Sequence, residues 1–244
     1  MIRWVRDTSK AIWLFFKFAA IIVVGYLLLI GLLSLLRHPT LTSMTQSTAS
    51  AADFWGRVET AVKVIGALFL STTVLHFLDR YLLGGRLIAR WSLASGASFS
   101  LIRMFTFPFI HKDNTHLVGN VPFLLLFASL AVILLPSAAL FSVILVMFLI
   151  QGLGVWLFGG KNTAHIGMSG LVLGFFSFDV LYGFFSGGWM MVVALVILLL
   201  WGRRMLKSLF NRQPGISVAG HVWGFLSGVF AAYMLSPFGF LPIG

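Results

Sequence analysis

Seven apolar stretches divide this chain: residues 11–36, 61–80, 116–135, 138–158, 168–186, 188–202 and 218–237. A helix rising about 1.5 Å per residue needs about 20 such residues to cross a hydrocarbon core about 30 Å thick. Repeated runs of this length leave the bilayer as the solvent for most of the protein. In lipid every backbone amide has to be satisfied within its own helix, so the expected fold is all-α, a polytopic transmembrane helical bundle. Pro136 and the pair Ser186-Gly187 mark tight turns, and the polar segment 159–167 separates two of the stretches.

Composition agrees, with 59% of the 244 residues apolar and 9% charged, against about a quarter charged in soluble domains. The net charge of +11 would point to nucleic acid in a soluble protein. Here the basic residues sit between apolar runs instead of forming one patch, so no nucleic-acid partner is expected. The absence of cysteine excludes disulfides, thiolate metal sites and a cysteine nucleophile.

Residues 37–58, rich in Ser, Thr and Ala, read as a linker that sets the first helix apart from the other six, with a division into 1–58 and 59–244. The basic start and Ala49-Ser50-Ala51 resemble a signal peptide, but the first apolar run is too long for one and a retained anchor is expected. Residues 81–115 hold Leu82, Leu83, Trp91, Phe99, Phe105 and Phe109, too apolar for a solvated loop. They are expected to lie in the membrane interface.

Polar side chains inside spans are costly and mark candidate function. His116 and Asn120 stand four apart at the start of one stretch and share a helix face. Ser169 sits in Gly167-Met168-Ser169-Gly170 and His221 in Gly220-His221-Val222-Trp223-Gly224, each at the start of its own stretch. These three stretches are alternate helices of an antiparallel bundle, so all four side chains can converge near one face.

A serine within reach of a neutral imidazole is a nucleophile with its base. His116, the Asn120 amide and a backbone N–H at a helix start are suitable oxyanion donors. No carboxylate is near the pair, and Asp179 lies about 15 Å further along the serine's helix by the rise per residue. Gly170 and Gly174, and Gly220, Gly224 and Gly228, repeat the small-residue spacing that lets membrane helices approach closely. The GxSG pattern also occurs in the nucleophile elbow of soluble hydrolases, but that needs a preceding strand, which is not expected here. Taken singly, each of these residues is commoner as a packing residue. Metal ligation by the histidines lacks partners at metal spacing, and no metal or organic cofactor is expected. His111 and His165 are expected as loop or interface residues.

Residues 103–111 with His116-Leu-Val-Gly-Asn120, then Gly167-Met-Ser169-Gly170, then His221-Val-Trp-Gly224-Phe-Leu-Ser-Gly228 resemble the rhomboid intramembrane serine proteases over residues 60–240. The resemblance implies a six-helix core, here with one extra N-terminal transmembrane helix. It implies Ser169 as nucleophile, His221 as base, and His116 and Asn120 at the oxyanion. The reaction implied is peptide hydrolysis in transmembrane protein substrates, without a cofactor. Two positions depart from the family: Ile102 replaces a frequent Trp, and Leu173 replaces an aromatic that often supports the catalytic histidine. A non-proteolytic adaptor of the same fold and a transporter are the competing readings.

If the N-terminus is cytoplasmic and seven helices alternate, only Arg37, Arg57 and Lys63 of the 17 basic residues fall outside. By the positive-inside rule this predicts a multi-pass protein whose serine and histidine open to the cytoplasm or matrix; the membrane expected is a bacterial inner membrane, with the N-terminus cytoplasmic.

Overall fold

The computed structural model describes residues 51–161, 163–211 and 216–241. The apolar stretch 11–36 lies outside them, and with it the expectations of an extra helix and a retained anchor. Among the described residues six helices are long and apolar enough to span a membrane: Gly56–Leu82, Asn114–Leu134, Ala138–Phe158, Ser169–Ser186, Gly188–Leu209 and Val218–Leu235. Each coincides with an expected stretch from 61–80 onward, and the chain is an integral multi-pass membrane protein with an all-α fold.

In chain order the helices are α1 (Ala51–Phe77), α2 (Arg86–Trp91), α3 (Leu101–Thr106), α4 (Asn114–Leu134), α5 (Ser137–Phe158), α6 (Ser169–Ser186), α7 (Gly188–Leu209) and α8 (Val218–Leu235). The linker expected over 37–58 gives way by residue 51 to α1, which runs into the first described span. The turn expected at Ser186-Gly187 is present, with Gly187 at φ 68° between α6 and α7.

α6 is the centre of the bundle. Its residues are buried without a break from Gly170 to Val180, as expected of a helix apolar on every side, and it packs against α4, α7 and α8. The contact with α8 depends on glycine. A methyl group on Gly224 would overlap the Gly170 carbonyl, and one on Gly228 would overlap the Gly174 carbonyl and Ser177 Oγ. At this close approach Ser177 Oγ donates to the Phe225 carbonyl at 2.7 Å, one of the interhelical bonds that join membrane helices.

The segment between α1 and α4 is folded. α1 ends in a wider π-helical turn, Leu78–Leu82, that carries the buried Asp79. The Asp79 carboxylate accepts from the Leu87 and Ile88 N–H groups at 2.7 and 3.1 Å. It thereby caps α2, whose own cap, Gly85, has no side chain to offer. Asp79→Ala leaves these donors unpaired and is expected to cost about 1–2 kcal/mol. A thermal unfolding midpoint unchanged from the parent in detergent would contradict this.

Beyond α2, β1 (Leu93–Ala94) pairs antiparallel with β2 (Ala164–His165), Leu93 opposite His165. This pair, like the short helices α2 and α3 and the π-helical turn before them, was not foreseen. Each strand has two residues, far short of the extended strand a nucleophile elbow requires. Its effect is to clip the α2–α3 connection to the loop that leads into Ser169. Trp156 Nε1 donates to the Ala97 carbonyl at 2.9 Å and strengthens the clip. Met104 and Phe107 are buried with Leu93 and Val155 against Trp156 and Trp223, while Leu101 and Ile102 at the start of α3 stay exposed. The segment thus combines a buried apolar anchor with exposed apolar residues.

Candidate active site

Ser169 is the first residue of α6 and His221 the fourth of α8. The glycine contact between these helices lets the two side chains meet, with Ser169 Oγ 2.9 Å from His221 Nε2. On the other side of the ring, His221 Nδ1 is 2.7 Å from the carbonyl oxygen of Ser208, near the end of α7. A carbonyl only accepts, so Nδ1 carries the proton and Nε2 presents its lone pair to the serine hydroxyl. That is the tautomer a general base needs.

The first-turn N–H groups of a helix have no intrahelical partner, and its dipole places positive potential there. Ser169 therefore stands where a developing oxyanion is favoured. The loop leading to it is held from two sides. Gly167, at φ 100°, passes against the His116 ring so closely that a Cβ there would lie 2.5 Å from Cε1, and only glycine fits both constraints. His116 is set by Asp113, whose side chain accepts from the His116 N–H at 2.8 Å and caps α4. Asn120 is on the same face, but its Nδ2 donates to the His116 carbonyl at 2.9 Å. One of its two N–H bonds is therefore engaged on its own helix.

His111 lies in a connection, as expected, and His165 in β2; both are buried beside the Ser169 loop. His111 Nε2 accepts from the Met168 N–H at 3.4 Å, one residue before the serine. His165 Nδ1 is 2.5 Å from Ser217 Oγ, and Ser217 Oγ accepts from Gly220 N at 2.8 Å as the cap of α8. With Nε2 2.8 Å from Thr163 Oγ1, the His165 ring ties the loop before Ser169 to the start of the helix that carries His221.

Desolvation, with smaller contributions from His116 and His76, lowers the His111 pKa from 6.5 to about 3. Desolvation also lowers that of His165. Between pH 6.5 and 3 the unfolded chain then binds more protons than the folded one at His111. Stability falls on acidification across that window by about 1.4 kcal/mol per pH unit for such a group. His111→Gln is expected to flatten the acid limb of a stability–pH curve, and an unchanged limb would place the acid sensitivity elsewhere.

Three contributors were missed in the sequence. His76 of α1 lies with Nε2 2.7 Å from the Asn114 side-chain amide and Nδ1 3.2 Å from the His111 carbonyl oxygen, beside the start of α4. Gln151 of α5 is buried with its amide against Gly170, and neither amide atom has a protein partner. Both are polar residues inside spans and carry the same signal that marked His116. The Ser208 carbonyl has no side-chain signal at all.

The family model described as Rhomboid domain matches residues 98–238. The chain belongs to the rhomboid family. Rhomboid proteins are intramembrane proteases and pseudoproteases, and the matched region runs from just before α3 through α8. The chain is also similar to an uncharacterized protein of Mycobacterium tuberculosis (strain H37Rv), 34% identical over 137 residues, covering 53% of this chain and 57% of that protein. An uncharacterized protein of Mycobacterium leprae is 33% identical over 138 residues, covering 53% and 54%. The chain thus spans about half the length of the curated relatives it matches. Ser169 and His221 stand at the start of the fourth and sixth of the six described spans.

Proposed function

We propose that this rhomboid is an intramembrane serine endopeptidase acting through a Ser169–His221 dyad on transmembrane protein substrates, with residues 59–244 as its catalytic unit. The observation that carries the reading is the pair of hydrogen bonds on His221, which leaves Nε2 as an acceptor for the Ser169 hydroxyl. Ser169 Oγ attacks the scissile carbonyl while Nε2 takes its proton. The tetrahedral oxyanion is met by His116, by the N–H of Asn120 not bonded to His116, and by the α6 N-terminus. Nε2–H then protonates the leaving amine, and water hydrolyses the acyl-enzyme through the same histidine. Removal of one oxyanion donor typically costs about 3 kcal/mol of barrier.

The purified protein in nanodiscs, incubated with a panel of transmembrane peptides carrying small residues near a helix-breaking segment, tests the reading. Cleavage that His221→Ala abolishes is expected. Binding of such peptides without cleavage would make the chain a non-proteolytic adaptor.

We further propose that the site opens to the cytoplasmic face of a bacterial inner membrane. Arg80, Arg86, Arg90, Arg103, Lys112, Lys161, Arg203, Arg204 and Lys207 all fall at the end of the bundle that holds Ser169, as judged from the alternation of the helices. In this cysteine-free chain, Ala138→Cys and Lys161→Cys stand at opposite ends of α5. An impermeant maleimide added to intact cells should label the first and spare the second. The reverse pattern would invert the orientation.

A further inference from the structure

A serine–histidine pair works best when a third group holds the imidazole in one tautomer and stabilises its protonated form. A carboxylate does this in the soluble triads. Among the described residues no carboxylate is hydrogen-bonded to His221, whose Nδ1 partner is the Ser208 carbonyl at 2.7 Å. Ser208 is the next-to-last residue of the 22-residue α7. The last four carbonyls of a helix lack intrahelical partners and together form the negative end of its dipole. The Asn211 N–H also reaches Ser208 O, at a longer 3.3 Å.

The direction of this field matters because His221 stands in the first turn of α8, where the positive end of that helix opposes an imidazolium. A negative helix end in direct hydrogen bond with Nδ1 opposes that effect. Leu173, one turn after Ser169, offers no aromatic face to the ring, so orientation by stacking from that position is absent. The end of α7 is itself well seated. Met205 and Leu209 are buried on either side of Ser208, Ser208 Oγ donates to the Met205 carbonyl at 2.6 Å, and Arg204 lies over the Phe123 ring at 4.4 Å.

We propose that the C-terminus of α7, through the Ser208 carbonyl, takes the place of the triad carboxylate. It holds His221 in the Nδ1–H form and stabilises the imidazolium that forms as Ser169 attacks. This rests on the protease reading, and Ser208 acts as a positioning residue through its backbone. The proton on Nδ1 stays in place throughout; only the proton shared by Ser169 Oγ and Nε2 moves.

The test replaces the Ser208–Leu209 amide by an ester, by incorporating the α-hydroxy analogue of leucine at position 209, which weakens the Ser208 carbonyl as an acceptor. The same change at position 207 weakens the Leu206 carbonyl instead and removes one helical N–H in both cases. The protein, with ¹⁵N-labelled histidine and in nanodiscs, is read two ways: the ¹⁵N shifts of His221, which report its tautomer, and the rate of Ser169 labelling by a fluorophosphonate. The parent should show Nδ1–H. The ester at 209 should mix the tautomers and slow labelling about tenfold, with the ester at 207 within about twofold of the parent. A parent in the Nε2–H form, or equal effects of the two esters, would overturn the proposal. If the ester variant does not accumulate, the parent's ¹⁵N shifts decide alone. A tautomer that depends on the 209 amide in a protein the probe never labels would uphold the positioning and remove the protease reading.

Discussion

Ser169→Ala is expected to lower cleavage of a transmembrane substrate by about 10⁴-fold or more while the helices and their unfolding midpoint stay near those of the parent. The size of the loss follows from the loss of the attacking atom, since what remains is binding and oxyanion stabilisation without a nucleophile. The small effect on folding follows from the hydroxyl's partner. Its hydrogen bond is to His221 Nε2, and one such bond contributes about 1 kcal/mol net. His221→Ala should lose a similar fraction of activity. It should cost more stability, because the Ser208 carbonyl loses its partner at 2.7 Å. Cleavage by Ser169→Ala within about tenfold of the parent would exclude the dyad, because a single oxyanion donor is worth more than that.

Gly224→Ala is expected to damage folding and catalysis together. The added methyl group would overlap the Gly170 carbonyl on α6, and a helix backbone cannot step aside as a flexible side chain can. Overpacking of this kind costs about 1–3 kcal/mol. The same shift moves α8, with His221, away from α6, with Ser169, and a misplacement of about 1 Å can cost about 10² in rate. The expected result is a lowered unfolding midpoint and about 100-fold slower turnover of the molecules that remain folded. Gly119→Ala is the control, because nothing lies within 4 Å of a Cβ at that position. Equal behaviour of the two variants would mean that the α6–α8 contact does not set the dyad.

How much of this was legible in the sequence depends on the kind of signal. The spans were readable because bilayer thickness sets a minimum apolar length. Ser169 and His221 could be paired because alternate helices start on one side and the glycine spacing brings two of them into contact. His116 was readable in depth and face, but the engagement of Asn120 with the His116 carbonyl was not, since spacing says nothing of where an amide turns. His76 and Gln151 could have been flagged by the rule that marked His116, yet a polar residue in mid-span does not reveal which neighbour its helix will meet. Asp79 reaches Leu87 and Ile88 only because α1 widens into a π-turn, a change of pitch with no residue pattern of its own. His111 and His165 looked like loop or interface residues because both stand between apolar stretches; position between spans does not show that His165 is drawn inward by the β1–β2 clip or that His111 meets the Met168 N–H. The Ser208 carbonyl is the extreme case, since every residue type supplies one.

The measurement that bears most directly on the dyad is peptide mapping of the purified parent protein after reaction with a fluorophosphonate. A single adduct on Ser169, absent from His221→Ala, is the expected result. No adduct on the parent, or an adduct on Ser169 that persists at the parent rate in His221→Ala, would contradict a serine activated by that histidine.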